Sequence, residues 1–211
     1  MWNCNTYLPR KVITTLESYY YLISNFTYSF CSPLILLMSK LRKIAIIGPE
    51  STGKSELCQH LAFHYQTEWV PEFARFYLDR LDRPYEQHDL KAIAEAQLQW
   101  EDDKAEYSNR YLFCDTNLIV IKIWSDHKYG STDPWIAEQL QDRAYDFYLL
   151  NNIDIPWTPD PQREHPTLRK HFFEVYRSYL IDHNLPFSIV SGIEGDRKKS
   201  AVDAIESHFD G

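Results

Sequence analysis

Cysteine, positive charge and long apolar runs are all scarce in this 211-residue chain, and each shortage excludes a class of protein. The 22 lysines and arginines are outnumbered by 30 aspartates and glutamates, so we expect no clustered positive surface for nucleic acid. The run FCSPLILLM is too short to span a bilayer, which takes about 20 apolar residues, so no membrane partner is expected. The cysteines are scattered without a C-x-x-C pair, which argues against a disulfide framework or zinc site and favours a reducing, cytoplasmic location: Cys4, Cys31, Cys58 and Cys114.

The first 37 residues differ in composition from the rest of the chain. They contain only three charged side chains, Arg10, Lys11 and Glu17, and they do not follow the order of a signal peptide. The methionines are Met1 and Met38, and the second stands four residues ahead of the basic-then-apolar segment RKIAIIG. We therefore expect residues 1–37 to be a poorly ordered leader or the product of a mis-assigned start, followed by a catalytic domain at 38–211.

From Met38 onward, apolar strand patterns alternate with amphipathic helix patterns, an order typical of α/β proteins. Five short strands separated by helices imply a parallel sheet that is covered by helices on both faces. Strands are predicted at 43–47, 68–70, 111–115, 146–150 and 187–190, and helices at 54–65, 86–107, 118–128, 135–144 and 168–183, with one more helix at the end of the chain.

The first predicted strand leads into GPESTGKS, which matches the phosphate-binding pattern G-x-x-x-x-G-K-[ST] at every position. The two glycines permit turns that point consecutive backbone N–H groups at phosphate oxygens, and the following helix adds its positive N-terminal end. Lys54 is placed to reach the outer phosphates, and the Ser55 hydroxyl to bind Mg²⁺. The sequence thus predicts a P-loop that binds a nucleotide through Gly48, Pro49, Glu50, Ser51, Thr52, Gly53, Lys54 and Ser55.

A second Mg²⁺ ligand is expected at the end of an apolar strand, and the segment YLFCD supplies Asp115 there. The alternative is that Asp115 only caps the next helix. The residue after it is Thr116, whereas hydrolytic motors commonly carry a water-activating glutamate at that position. The D-x-x-G and N-K-x-D strings of switch GTPases are also missing, so the loop resembles that of a kinase.

Phosphoryl transfer also needs an acceptor site, and Glu72 is the candidate general base for it. Glu72 lies just past the second predicted strand, at the sheet edge where α/β proteins place ligands. Arg75 follows three residues later, so both side chains lie on one side of a helical turn. A helix-start glutamate with a surface arginine is the alternative interpretation.

The proline-rich stretch at about 151–170 is predicted to be a lid, because loops this long are usually functional or disordered. Its four prolines limit the backbone freedom that closure would have to restrict. Arg163 and Arg169 are candidates to close over the phosphates; an ordinary solvated loop is the alternative.

The segment SGIEGDR follows the last predicted strand, where an adenine ring could pack. Arg197 is the candidate to stack on that ring or bond to it, although two glycines after a strand also fit a plain turn.

Four segments taken together resemble the kinase domain of NadR-type ribosylnicotinamide kinases: IGPESTGKS, WVPEFARFYL, FCDTNLIVIKIWS and DIPWTPDPQREHPTLR. The likeness extends over about Leu41 to Glu206. It implies ATP- and Mg²⁺-dependent phosphorylation of the ribose 5′-hydroxyl of nicotinamide riboside, giving nicotinamide mononucleotide in NAD salvage. The family often has a second acid two residues after its metal-strand aspartate, and this chain has Asn117 there.

The resemblance places Lys54, Glu72, Asp115, Arg163 and Arg169 in catalysis and Arg75 beside the nucleoside. Because nicotinamide riboside carries a positive pyridinium ring, aromatic side chains in these segments are candidates for cation–π contact: Tyr77, Trp124 and Trp157.

Two other functions stay open on the sequence alone, as does the oligomeric state. One is a kinase for another nucleoside or metabolite, because VPE after the second strand also resembles those enzymes. The other is an ATP-gated regulatory binding protein.

Overall fold

Apolar strands that are buried on both faces form the centre of the fold. The computed structural model describes residues 40–211, so the expectations for residues 1–37 and for Met38 lie outside the described part of the chain. The strands are β1 Arg42–Ile47, β2 Trp69–Val70, β3 Tyr111–Asp115, β4 Phe147–Asn151 and β5 Phe187–Val190. The helices are α1 Lys54–Tyr65, α2 Phe73–Leu78, α3 Gln87–Ala105, α4 Leu118–Tyr129, α5 Pro134–Asp142, α6 Arg169–Asp182 and α7 Gly195–Phe209.

The five strands form one parallel sheet in the order β2-β3-β1-β4-β5, which confirms the predicted fold class. Residues of β1 alternate between two cores because successive side chains of a strand point to opposite faces. Ala45 and Ile47 pack with α4 and α6 on one face, and Ile44 and Ile46 pack with α1 and α7 on the other. A third cluster joins α3, α4 and α5 beside the sheet.

The chain reverses its direction of winding at β1, because β3 lies on one side of it and β4 on the other. The carboxyl ends of these three strands therefore meet at one edge, and parallel α/β sheets bind ligands at such a switch point. The P-loop follows β1, Asp115 ends β3, and Asn151 ends β4.

The predicted element bounds agree with the structure to within two residues where both give an element. The helix predicted from 86 begins at Gln87, because Glu86 and Asp89 form a capping box in which the Asp89 carboxylate accepts the Glu86 N–H at 2.7 Å. The short helix α2 was not among the predicted helices. Glu72 lies at its N-cap position, and Arg75 lies within it.

Glu101 is buried between α3 and the sheet, and its titration is expected to make the stability depend on pH. It accepts a hydrogen bond from the Tyr145 hydroxyl at 2.6 Å, and its burial raises the carboxyl pKa from 4.5 to about 7. Between these two values the unfolded chain has released the proton that the folded protein keeps, so the free energy of unfolding falls as pH rises.

We expect Glu101→Gln to remove that fall, about 2–3 kcal/mol between about pH 5 and pH 8, measured by urea unfolding at both pH values. Glu95→Gln, on the exposed side of the same helix, is the matched control and should leave the pH dependence unchanged. A Glu101→Gln profile parallel to that of the wild type would contradict a raised pKa.

Candidate active site

The P-loop is held tightly against the end of β4. Gly48 has φ 137°, and a Cβ atom on it would lie 2.9 Å from the Asn151 carbonyl oxygen, so only glycine fits both the backbone angle and the close approach. The buried Asn151 side chain donates from Nδ2 to the Thr52 carbonyl at 2.9 Å. The loop shape is therefore fixed by a residue about 100 positions away in the chain.

Lys54 begins α1 and points its charge back along the loop, where Nζ donates to the Pro49 carbonyl at 3.1 Å. The Thr52 hydroxyl donates to the same carbonyl at 2.8 Å. Because the partner of Lys54 is a neutral carbonyl, its positive charge remains available for the outer phosphates of a nucleotide.

Asp115 ends β3 with only 1% of its surface exposed, and its Oδ1 atom has no hydrogen-bond partner within residues 40–211. Burial, and then the nearby Glu72 carboxylate, raise its pKa to about 7, while the charge of Lys54 and then the Ser55 hydroxyl oppose the rise. A buried carboxylate oxygen without a partner, beside a hydroxyl, matches the oxygen ligands that Mg²⁺ takes. Ser55 and Asp115 therefore fit a Mg²⁺ ion.

The alternative role of Asp115 as a helix cap is wrong, because Asn117 caps α4. The Asn117 Oδ1 atom accepts the Ile119 N–H at 3.1 Å, and the side chain is fully buried. Asn117, which stands where the family often has a second acid, therefore serves as the N-cap of α4.

Glu72 and Arg75 both line a cleft of about 320 Å³ in front of the P-loop. Their side chains approach to 3.9 Å, as expected for residues one helical turn apart. Arg75 Nη1 also donates to the Asp160 carboxylate at 3.0 Å. Arg75 therefore forms ion pairs both with Glu72 and with the loop after β4. Asp160 is a partner that the sequence pattern did not identify.

The loop between β4 and α6, residues 152–168, lies directly on the P-loop. The predicted lid at 151–170 overlaps it, with Asn151 belonging to β4 and the last two residues to α6. Ser51 accepts the Thr158 N–H at 2.8 Å through its hydroxyl, and the Glu50 carboxylate accepts the backbone N–H of Glu164 at 3.2 Å. These contacts tie the loop to the phosphate-binding segment, whereas its opening and closing stay a prediction.

Both arginines predicted for this loop reach Ser51. Arg163 Nη1 lies 3.3 Å from the Ser51 hydroxyl and also bonds to the Thr158 carbonyl. Arg169 Nη2 donates to the carbonyls of Ser51 and Ile155, at 3.0 and 2.9 Å. The Nε atoms of both arginines lack partners within residues 40–211, but only Arg163 lines the cleft.

The three aromatic residues predicted to contact the substrate differ in their position relative to the cleft. Trp124 lines the cleft and stacks on His165, with ring centroids 5.2 Å apart. Tyr77 is outside the cleft lining, because its hydroxyl donates to the buried Asp89 at 2.7 Å and its ring packs with α3. Trp157 is also outside the lining and faces the Arg163 guanidinium at 5.9 Å. Tertiary packing thus favours Trp124 of the three as a substrate contact.

Arg197 is 95% buried, so its guanidinium has little surface on which an adenine ring could stack. It donates to the Gly192 carbonyl at 3.0 Å and pairs with the Asp154 carboxylate. These bonds join the loop after β5 to the loop after β4. Arg197 also borders a second cleft, of about 290 Å³, that includes Gly53 and Ile155.

Gln97, on α3, lines the main cleft although no motif marks it. Its Oε1 atom accepts the Phe73 N–H at 2.8 Å, and its Nε2 atom has no acceptor within residues 40–211. A lone glutamine inside a 19-residue helix carries no sequence signature, whereas the place of Asn151 directly after the predicted strand is a signal that could have identified it.

Residues 43–197 match the family model of an AAA domain. The chain is 27% identical over 164 residues to the trifunctional NAD biosynthesis/regulator protein NadR of Salmonella typhimurium, covering 74% of this chain and 40% of the relative. The NadR of Escherichia coli is 27% identical over 155 residues, covering 70% of this chain and 37% of the relative. The chain thus spans less than half the length of these relatives.

Solved structures give the same fold. NadR in complex with NR has a TM-score of 0.66 at 21% identity, over 79% of this chain and 50% of that chain. NadR in complex with NAD and AMP-PNP has a TM-score of 0.62 at 22% identity, over 81% of this chain and 50% of that chain. Deoxyadenosine kinase from M. mycoides has a TM-score of 0.52 at 18% identity, over 78% of this chain and 99% of that chain.

Among residues 40–211, none of the helices combines the length and the apolar character that a membrane span requires.

Proposed function

This chain belongs to the AAA domain family of P-loop proteins, and from that premise we propose that it is a kinase that uses ATP to phosphorylate the ribose 5′-hydroxyl of nicotinamide riboside. The product is nicotinamide mononucleotide, a step of NAD salvage. The observation that carries the proposal is one cleft shared by the P-loop, Glu72 and the ring of Trp124. Similarity to NadR, and the NadR structure with NR, support the choice of acceptor.

Each group of residues at the cleft has a separate role in phosphoryl transfer. Lys54 and Arg163 supply positive charge to the phosphates, and Ser55 and Asp115 would hold Mg²⁺, which neutralises phosphate charge when bound. Glu72 accepts the proton of the 5′-hydroxyl as its oxygen bonds to the γ-phosphorus and the bond to ADP breaks. The loop at 152–168 excludes water from this reaction by covering the P-loop.

The lining of the cleft suits a flat cationic ring. It combines apolar side chains with the aromatic ring of Trp124 and the carboxylate of Glu72. A pyridinium ring gains from both, by cation–π contact and by charge attraction.

The test is the rate of ADP release with a panel of acceptors: nicotinamide riboside, nicotinic acid riboside, uridine and thymidine. We expect nicotinamide riboside to stimulate turnover most. Stronger stimulation by uridine or thymidine would instead identify a kinase for another nucleoside. If no nucleoside stimulated turnover, the kinase assignment would fail in favour of an ATP-gated binding protein.

Glu72→Gln completes this test by separating binding from transfer. The variant should bind ATP as the wild type does while kcat falls about 10²- to 10⁴-fold, because the hydroxyl loses its proton acceptor. Glu106→Gln, on an exposed position after α3, is the matched control. Unchanged kcat in Glu72→Gln would remove Glu72 from the role of base.

A further inference from the structure

Gln97 is a buried polar side chain whose hydrogen bonding is only half satisfied. It is 1% exposed, and its Oε1 atom accepts the backbone N–H of Phe73 at 2.8 Å. Since an amide nitrogen cannot accept that bond, the contact fixes which end of the amide is oxygen. The Nε2 group is left as a donor without an acceptor in residues 40–211.

The surroundings of Gln97 in the cleft offer no compensation for this lone donor. The residues of α2, α3 and α4 that line the cleft are apolar except for Gln97 itself and Arg75, which can only donate: Ala74, Leu78, Leu90, Ile93, Val120, Ile121 and Trp124. A buried donor without a partner costs about 1–3 kcal/mol, so such groups are rare unless a ligand or water satisfies them. The donor therefore indicates that an acceptor atom belongs at this place when the site is filled.

Gln97 lies next to residues that are proposed to bind the nucleoside. Phe73, whose N–H holds the glutamine, directly follows Glu72, the proposed base for the sugar hydroxyl. Trp124, the aromatic contact, lines the same cleft. Gln97 thus belongs with the residues that face the nucleoside.

We infer that Gln97 recognises the base of the acceptor nucleoside, by donating from Nε2 to an oxygen carried on its ring. The inference rests on the proposed function for the identity of that nucleoside, in which the oxygen is that of the ring carboxamide. A carboxylate or a ring carbonyl has the same accepting chemistry. A ring without an acceptor at this position leaves the donor unpaired and is discriminated against.

The experiment compares two substrates that differ only in the accepting group: nicotinamide riboside and ribosylpyridinium without the carboxamide. In the wild type we expect kcat/KM to be about 10- to 100-fold higher for nicotinamide riboside. Gln97→Leu should lower kcat/KM for nicotinamide riboside about 10- to 100-fold more than for ribosylpyridinium, because both substrates lose the support that Oε1 gives to Phe73 and only nicotinamide riboside loses the Nε2 donor. Gln99→Leu, on the exposed side of α3, is the matched control.

A second variant guards against a folding defect. Gln97→Glu keeps an oxygen for the Phe73 N–H and replaces the donor by a carboxylate oxygen. It should disfavour nicotinic acid riboside more than ribosylpyridinium, because two carboxylates then face each other. The inference would be overturned if Gln97→Leu lowered kcat/KM equally for nicotinamide riboside and ribosylpyridinium. It would also be overturned if Gln97→Glu lowered it equally for nicotinic acid riboside and ribosylpyridinium. Gln97 would then be a structural residue. A wild type that does not distinguish the two substrates would overturn it as well.

The proposed function can fail separately. If the wild type phosphorylates uridine but neither pyridinium nucleoside, the choice of nicotinamide riboside is wrong, and uridine becomes the substrate for the comparison. Loss of uridine turnover in Gln97→Leu, but not in Gln99→Leu, would then support the inference, because uridine carries ring carbonyls. Retained uridine turnover in Gln97→Leu would overturn it.

Discussion

Lys54→Ala is expected to lower kcat for phosphoryl transfer about 10³-fold, because it removes a preorganised positive charge from the outer phosphates. In the structure, Nζ is fixed by the Pro49 carbonyl at 3.1 Å, at the start of α1. The charge is therefore already in place before the nucleotide binds, and no reorganisation is needed when negative charge moves during transfer. The variant should also bind ATP more weakly.

The measurement is single-turnover transfer at saturating ATP and nicotinamide riboside, with ATP affinity determined separately by calorimetry. Lys170→Ala removes an exposed lysine of α6 and should retain activity. A Lys54→Ala protein with near-normal kcat would mean that the P-loop binds a nucleotide without taking part in its chemistry.

Arg163→Ala is expected to lower kcat by about 10³-fold or more, the effect of removing an arginine that stabilises the transferring phosphoryl group. Arg163 lines the cleft, reaches the P-loop at Ser51, and has an Nε atom with no partner within residues 40–211. Arg163→Lys should recover only part of the rate, because lysine lacks the planar fork that binds phosphate oxygens in pairs. ATP affinity should fall much less than kcat.

Arg169 provides the informative comparison, since it bonds to the carbonyls of Ser51 and Ile155 and does not line the cleft. Arg169→Ala should therefore act mainly through the order of the loop, with a smaller fall in kcat than Arg163→Ala. Arg177→Ala, an exposed arginine of α6, is the control. If Arg169→Ala had the larger effect on kcat, the roles of the two arginines would be exchanged.

The fold could be predicted from sequence because its signals are local. The central strands β1, β3 and β4 are short apolar runs, as burial on both faces of a parallel sheet requires. The P-loop is also a local signal, since Gly48, Lys54 and Ser55 must follow a strand and begin a helix within one continuous segment. Asp115 was identifiable for the same reason, as the acid that ends a buried strand.

The contacts between distant segments could not be predicted in this way. The sequence indicated Tyr77, Trp124 and Trp157 equally, and only packing separated them, with Trp124 alone in the cleft lining. Gln97 and Asp160 carry no pattern, because a hydrogen bond to a residue 24 or 85 positions away leaves no spacing rule in the chain.

The sequence alone thus determined the α/β fold, the phosphate-binding loop and the acid beside it, because each depends on neighbours in the chain. Tertiary structure decided which side chains share the cleft, and it left Asp115, Arg163 and Gln97 with polar atoms that lack partners within residues 40–211. The physical reason is that side-chain burial and hydrogen-bond partners are set by the packing of helices on the sheet, which brings residues far apart in sequence to one edge.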